Sequence, residues 1–308
     1  MMFVAWLFPY NSATITPLDL KEIIYWGISG IFLLYGLKLD LKQIIQDMSN
    51  WKLHLVIQLA SFLLIPLLVL IFYPFFKNTS LENLWMATFF LAVLPSTVTS
   101  SVVTVSIARG NMSAAIFNAS ISGLIGIIIT PLWMSLFLKA SDQNFNFGEI
   151  LYQLIWQIII PVFIGILLNR PATALINKYK PILSWYDKTV IFIIVYKSFS
   201  AAFTEKLFAQ IVSSTLITLS VLLILLYFFV FFLLLWISRK LSFSTKDQIT
   251  AALCGSQKSL VHGSVFVTLI ITDIGMQSLF LLPIMFYHSF QLFYASYKAR
   301  RWAKTMID

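Results

Sequence analysis

A chain of 308 residues that is 59% hydrophobic and only 11% charged is no ordinary soluble domain, where about a quarter of residues carry charge. The balance of 21 Lys plus Arg against 12 Asp plus Glu would suggest nucleic acid in a soluble protein, but in a polytopic membrane protein it marks cytoplasmic loops, and no nucleic-acid partner is expected. One cysteine, Cys254, excludes an internal disulfide and any multi-cysteine metal site.

In chain order, the first apolar stretch is Met1 to Phe8, which lacks both the basic flank and the cleavage site of a secretion signal. At about 12 Å it is far short of a hydrocarbon core of about 30 Å, and it reads as half a helix. Nine full spans follow, at 22–37, 54–75, 83–108, 112–138, 150–168, 189–204, 208–237, 248–270 and 278–297.

Sorting the cations by loop orients these spans. Fifteen fall on the side of the C-terminal Lys298, Arg300, Arg301 and Lys304, four on the other (Lys21, Lys77, Lys139, Lys206), and two within spans (Lys197, Lys258). The positive-inside bias therefore predicts a cytoplasmic C-terminus.

Counting the stub, the spans number ten, or two sets of five. Five is odd, so the second set must run opposite to the first, which predicts an all-α polytopic membrane protein built from inverted five-helix repeats at 1–138 and 139–308. The fourth and ninth spans are then equivalent and antiparallel, and both are interrupted. One contains LPSTVTSS (Leu94 to Ser101) and the other CGSQKSLVHG (Cys254 to Gly263). Pro95, Gly255 and Gly263 mark the expected helix breaks. Irregular backbone at membrane depth is tolerated only in a protein-lined cavity, so paired breaks point to a binding site.

The polar residues around these breaks are the candidate ligands for a substrate or ion. Near the first stand Ser96, Thr97, Thr99, Ser100 and Ser101; the next span adds Asn118 and Ser122, which share a helical face at i, i+4. Near the second stand Gln257, Lys258, Ser259 and His262. His288 and Gln291 in the last span are spaced i, i+3.

All twelve carboxylates map to loops or span ends, whereas cation-coupled carriers commonly keep one at mid-membrane. Lys258 instead lies about ten residues into its span, near 15 Å deep, where a lysine costs about 2.5–3.5 kcal/mol. Three readings of it compete: it donates hydrogen bonds to carbonyls freed by the break, taking the place of a bound sodium ion; it is the counter-charge for an anionic substrate; or it deprotonates and carries a coupled proton. Lys197, nearer its span end, reads as a snorkelling side chain. A membrane hydrolase is not expected, since the chain has no GxSxG, no HExxH and no intramembrane carboxylate to orient a histidine.

The stretch GNMSAAIFNASISGLIGIIITPL (Gly110 to Leu132), LPSTVTSS, WKLHLVIQ (Trp51 to Gln58), QKSLVHG (Gln257 to Gly263) and YHSFQ (Tyr287 to Gln291) together resemble the bile acid:sodium symporter family. Within it they are most similar to the branch typified by the seventh member of solute carrier family 10 and its bacterial relatives. The resemblance runs over about residues 20 to 297. It implies a ten-helix inverted-repeat fold, interleaved panel and core domains, and fourth and ninth helices that unwind and cross at the site.

In sodium-coupled members a Ser-Asn pair after the fourth-helix proline ligates sodium, and Ser100 with Ser101 are its nearest counterparts. Their ninth helix carries Glu followed by Gly-Met-Gln-Asn-Ser, where this chain has Leu253-Cys254-Gly255-Ser256-Gln257-Lys258-Ser259. Gly255, Gln257 and Ser259 keep their places, while Leu253 replaces the Glu and Lys258 the Asn. Losing a carboxylate and gaining a cation at one site argues against sodium coupling, and no other cofactor or metal is implied. A second departure is the shortened first helix: either the start is internal to a longer gene, or half a helix suffices.

The resulting expectation is a secondary transporter of an organic or amphipathic anion, working by alternating access in a bilayer, on branch resemblance a bacterial cytoplasmic membrane. The alternative is a non-transporting regulatory membrane protein of the same fold, modulating ion homeostasis.

Overall fold

The computed structural model describes residues 2–9, 20–39, 50–141, 147–204, 213–271 and 273–305, and every structural statement concerns these. Lys42, Lys206 and the first residues of the 208–237 span lie outside them. All regular elements among the described residues are helical.

The chain begins with α1 (Met2–Leu7) and α2 (Leu20–Leu37). Next come α3 (Trp51–Leu59), a π-helical turn (Ala60–Leu64), α4 (Ile65–Leu70) and the short α5 (Tyr73–Phe76). The fourth span is split into α6 (Glu82–Val93) and α7 (Thr99–Ile107), with α8 (Met112–Ser141) after it. A second π-helical turn (Ile155–Ile159) joins α9 (Phe147–Leu154) to α10 (Ile160–Thr204). The chain closes with α11 (Ser213–Lys240), α12 (Thr245–Ser256), α13 (Leu260–Ile270) and α14 (Ile274–Thr305).

Six helical stretches among the described residues are long and apolar enough to cross a bilayer: Leu20–Leu37, Trp51–Leu70, Met112–Phe137, Gly148–Asn169, Ser214–Lys240 and Ile274–Thr305. The protein is a multi-pass membrane protein. Along α11, Ile217, Val221, Leu225, Phe229, Phe232 and Trp236 recur every three or four residues and are all exposed. Such a stripe would be a liability in water and is ordinary against lipid.

The structure revises one connection. The sequence separates spans 150–168 and 189–204 by a polar loop, yet residues 160–204 are helical throughout. Near one end of α2, a Cβ on Gly36 would meet the Val162 carbonyl and the Cα of Gly165; nine residues earlier, one on Gly27 would meet Val190. Nine residues of α2 cover about 14 Å, whereas a straight helix from 165 to 190 would cover about 38 Å. Both limbs therefore flank α2, and the chain doubles back between them without leaving helical conformation locally.

The described chain divides into two compact units, each assembled from three segments. One comprises 1–40, 135–212 and 264–281; the other comprises 41–134, 213–263 and 282–308. In the first unit α2 is clasped by α10. Gly36 and Gly165 let the two backbones touch, Tyr186 donates to the Gly27 carbonyl (3.3 Å), and Asn169 donates to the Leu37 carbonyl (2.6 Å). The Lys38–Asp187 pair (3.4 Å) adds little. It is partly exposed, and burial raises the Asp187 carboxyl more than the ammonium lowers it. The glycines carry the contact. Gly36→Ala is expected to destabilise by about 1–3 kcal/mol in thermal unfolding, because the obstructing atoms are backbone and cannot rotate away. Gly27→Ala, which meets only the Val190 side chain, should cost less.

The second unit holds both broken helices. Its α11 and α14 are joined by an aromatic cluster in which the Tyr227 ring meets Tyr287, Phe290 and Tyr294 edge to face, at centroid distances of 5.6 to 5.8 Å. This fixes the face of α14 that carries Tyr287 and Gln291.

Candidate functional site

Within the second unit the two unwound segments, residues 94–98 and 257–259, bond to each other. The Ser259 amide donates to the Pro95 carbonyl (2.9 Å), the Ser96 hydroxyl donates to the Cys254 carbonyl (2.6 Å), and the Ser100 hydroxyl donates to Gln257 Oε1 (2.8 Å). Gln257 Nε2 in turn donates to Thr104 (3.2 Å).

A helix that stops inside a membrane leaves its last carbonyls without partners, a cost of several kcal/mol per group in hydrocarbon. At the end of α6 the carbonyls of residues 91–95 each have a donor. Leu91 receives the Leu94 amide, Val93 receives the Thr130 hydroxyl (2.8 Å), and Pro95 receives Ser259. The remaining two, Ala92 and Leu94, receive the Lys258 ammonium at 2.7 and 2.8 Å. Its third bond goes to the Ser61 carbonyl (2.8 Å). Ser61 belongs to the π-helical turn after α3, whose extra residue frees carbonyls from their usual helical donors. The adjacent Phe62 carbonyl is taken by the Trp133 indole N–H (3.0 Å).

Lys258 is thus 1% exposed, with its three donors spent on three main-chain carbonyls and no carboxylate partner among the described residues. Two of these carbonyls form the negative end of α6, which favours a cation. The peptide groups of Lys258 are held by one side chain. Gln291 Oε1 accepts from the Lys258 amide (2.8 Å) and Gln291 Nε2 donates to the Lys258 carbonyl (2.8 Å). The second Nε2 hydrogen points to His288 Nδ1 (2.8 Å). The Tyr287 hydroxyl donates to the Ser256 carbonyl (2.7 Å).

The other candidates fall into place around this crossing. Ser122 accepts from the Ser96 amide (2.9 Å), and Ser101 bonds back to the Thr97 carbonyl. Ser259 caps the start of α13 by accepting from the His262 amide (3.2 Å), and its hydroxyl lies 2.9 Å from His262 Nδ1. Thr97 is buried, whereas Thr99 is exposed. Asn118 lies in a separate cluster: its Nδ2 bonds His54 Nδ1 and the Ala114 carbonyl (both 2.8 Å), and its Oδ1 accepts from Gln58 (3.1 Å).

Of the three residues expected to mark the breaks, Pro95 lies in an unwound segment, while Gly255 and Gly263 are helical. Their bare Cα atoms serve close packing instead. A Cβ on Gly255 would meet Leu234 at 2.7 Å, and one on Gly263 would meet Leu94 and Ile284 at 2.8 and 2.9 Å. Ser61, Ala92, Leu94 and Thr130 were not legible as site residues, since three act through carbonyls and the fourth is one hydroxyl among many. Among the described residues no group of His, Cys, Asp and Glu is arranged to hold a metal ion.

An all-helical membrane protein whose two broken helices are bonded together at their unwound segments belongs, as a class, with secondary transporters. The profile of the SBF-like CPA transporter family matches residues 1–304, and the chain belongs to that family. It is 33% identical over 282 residues to the uncharacterized protein PA2026 of Pseudomonas aeruginosa, covering 92% of this chain and 84% of that one. It is 29% identical over 281 residues to YfeH of Escherichia coli (90% and 83% covered) and 27% identical over 277 residues to sodium/bile acid cotransporter 7 of Xenopus tropicalis (89% and 80%). The resemblance carried by the short motifs thus extends along the chain, and the protein is a bile acid:sodium symporter-like transporter by family.

Proposed function

We propose that this protein moves an organic or amphipathic anion by alternating access, without sodium coupling. The observation that carries the reading is the Lys258 ammonium seated on the carbonyls of Ser61, Ala92 and Leu94. Of the three roles open to Lys258, this favours the first, a resident cation in place of a bound one. A sodium ion does not fit among carbonyls already committed to an ammonium about 2.8 Å away, and a second cation beside it would be repelled. An ammonium with no carboxylate beside it among the described residues gives the crossing a positive balance, which suits an anionic cargo. The reading takes residues 1–138 and 139–308 as the inverted repeats, rocking about the two breaks, with the C-terminus in the cytoplasm of a bacterial cell. It assigns the chain no enzymatic role.

The test is thermal unfolding of the purified protein with a panel of organic carboxylates and sulfonates, in sodium chloride and in N-methylglucamine chloride, followed by uptake of any stabilising anion into proteoliposomes. At least one anion is expected to raise the unfolding temperature equally in both salts and to be taken up. Strong stabilisation by sodium alone would overturn the claim that Lys258 replaces the ion. Absence of any stabilising or transported anion would favour the regulatory reading.

A further inference from the structure

One end of the second unit carries a charge pattern that the transport reading does not use. Residues 229–240 of α11 and 293–305 of α14 contain six cations, Arg239, Lys240, Lys298, Arg300, Arg301 and Lys304, and no Asp or Glu. Five of the six are exposed, Lys298 is half-buried, and none is in an ion pair among the described residues.

Both helices deliver these cations to the same membrane face. Tyr227 meets Phe290 and Tyr294, and further along α11 Phe231 meets Tyr294 and Trp302, so the two helices run parallel. From the Phe231–Tyr294 contact (5.4 Å), Lys240 lies about 14 Å along α11 and Lys304 about 15 Å along α14. On each helix the exposed stripe changes in the same order. Phe229, Phe232 and Trp236 lead to Lys240, and Phe293 and Tyr297 lead to Arg301 and Lys304. Apolar, then amphipathic aromatic, then cationic is the order of hydrocarbon, headgroup boundary and phosphate.

Rings tie the two stripes together across the seam. Phe232 stacks on Phe228 (6.1 Å), the Phe228 ring meets Tyr294 edge to face (4.7 Å), and Tyr294 touches Tyr297 (6.4 Å). Two of the cations rest on this layer. Lys298 Nζ lies 5.2 Å from the centre of the Trp302 ring, itself stacked on Phe231, and the Arg301 guanidinium lies 6.0 Å from that of Tyr297. A cation over a ring face is attracted there without giving up its N–H groups to an acceptor. The Lys298 ammonium donates no hydrogen bond among the described residues, and Arg301 spends one N–H, on the Tyr297 hydroxyl (3.4 Å). Both are thus positioned with donors to spare, which is what a phosphate group takes.

We propose that this end of the α11–α14 seam binds an anionic phospholipid. Lys298 and Arg301 donate to the headgroup phosphate, the neighbouring cations set the sign, and the exposed rings cover the start of the acyl chains. A zwitterionic lipid brings its own cation and leaves the positive surplus unoffset, so the site selects for net negative charge. It lies ten residues, about 15 Å, along α14 from Gln291 and is independent of what the protein transports.

The test uses the full-length protein, delipidated in dodecyl maltoside and titrated with phosphatidylglycerol, with phosphatidylcholine of the same acyl chains, and with inorganic phosphate. Native mass spectrometry counts bound lipid and thermal unfolding reads its effect. Phosphatidylglycerol is expected to stay bound and raise the unfolding temperature, phosphatidylcholine to bind at least about tenfold more weakly, and inorganic phosphate to do neither. Lys298→Gln or Arg301→Gln alone should weaken phosphatidylglycerol about fivefold, and the two together about thirtyfold. The exchange of Lys298→Arg with Arg301→Lys should retain it. Lys52→Gln with Lys77→Gln removes the same charge elsewhere in the unit and should leave binding unchanged. Equal retention of the two lipids, an equal loss in the Lys52 and Lys77 pair, or inorganic phosphate matching the lipid would overturn the proposal.

Discussion

Lys258→Ala is expected to abolish uptake of the transported anion while the protein still inserts in the membrane, and to lower its thermal stability. Removing the side chain strips the donor from three buried carbonyls, those of Ser61, Ala92 and Leu94. Each unmet buried carbonyl costs about 1–3 kcal/mol. Set against this is the cost of burying the ammonium, about 2.5–3.5 kcal/mol on insertion scales, which the variant no longer bears. The middle of these ranges leaves a net loss of about 3 kcal/mol. A second readout separates this from nonspecific damage. The vacated carbonyls form a ring of oxygens, so sodium should partly restore stability to Lys258→Ala and have no effect on wild type. Thermal unfolding in sodium against N-methylglucamine chloride measures this. Uptake at the wild-type rate in Lys258→Ala would remove Lys258 from the mechanism.

Both interruptions were legible because helix-breaking and polar residues cluster there against an apolar background. Leu94 to Ser101 has a proline and five hydroxyls within eight residues, and its counterpart reads QKS inside a run of small and apolar residues. The partners of Lys258 were not legible, for a physical reason. They are main-chain carbonyls, freed by a helix end and by a π-helical turn, and neither leaves a mark in composition. For the same reason the sequence could not choose among the three roles of that lysine. The helical path of residues 169–188 was missed because Lys178, Lys180, Asp187 and Lys188 read as loop polarity, although polar residues do not prevent a helix. The spacing of Asn118 and Ser122 puts them on one face, yet they engage different neighbours, Asn118 the pair His54 and Gln58, and Ser122 the Ser96 amide.

The second large effect is expected at Gln291, which the sequence marked only by its spacing from His288. An unwound residue in a membrane must find partners for its amide and its carbonyl outside its own helix. For Lys258 one side chain supplies both, since the Gln291 amide pairs with the Lys258 peptide much as a neighbouring strand would. Gln291→Leu keeps the volume but leaves that N–H and C=O unmet, for an expected loss of about 2–6 kcal/mol. Gln291→Glu accepts from the N–H but presents a lone pair to the carbonyl, so it should not rescue. Ser259→Ala, by contrast, removes the cap of α13 and the hydroxyl's bond to His262 Nδ1, about 1–2 kcal/mol. The order of unfolding temperatures should therefore be wild type, then Ser259→Ala, then both Gln291 variants. If Ser259→Ala proves as damaging as Gln291→Leu, the break is not held by Gln291. If it holds as expected, α14 sets the position of the Lys258 backbone, and Gln291→Leu should lower uptake along with stability by releasing that backbone.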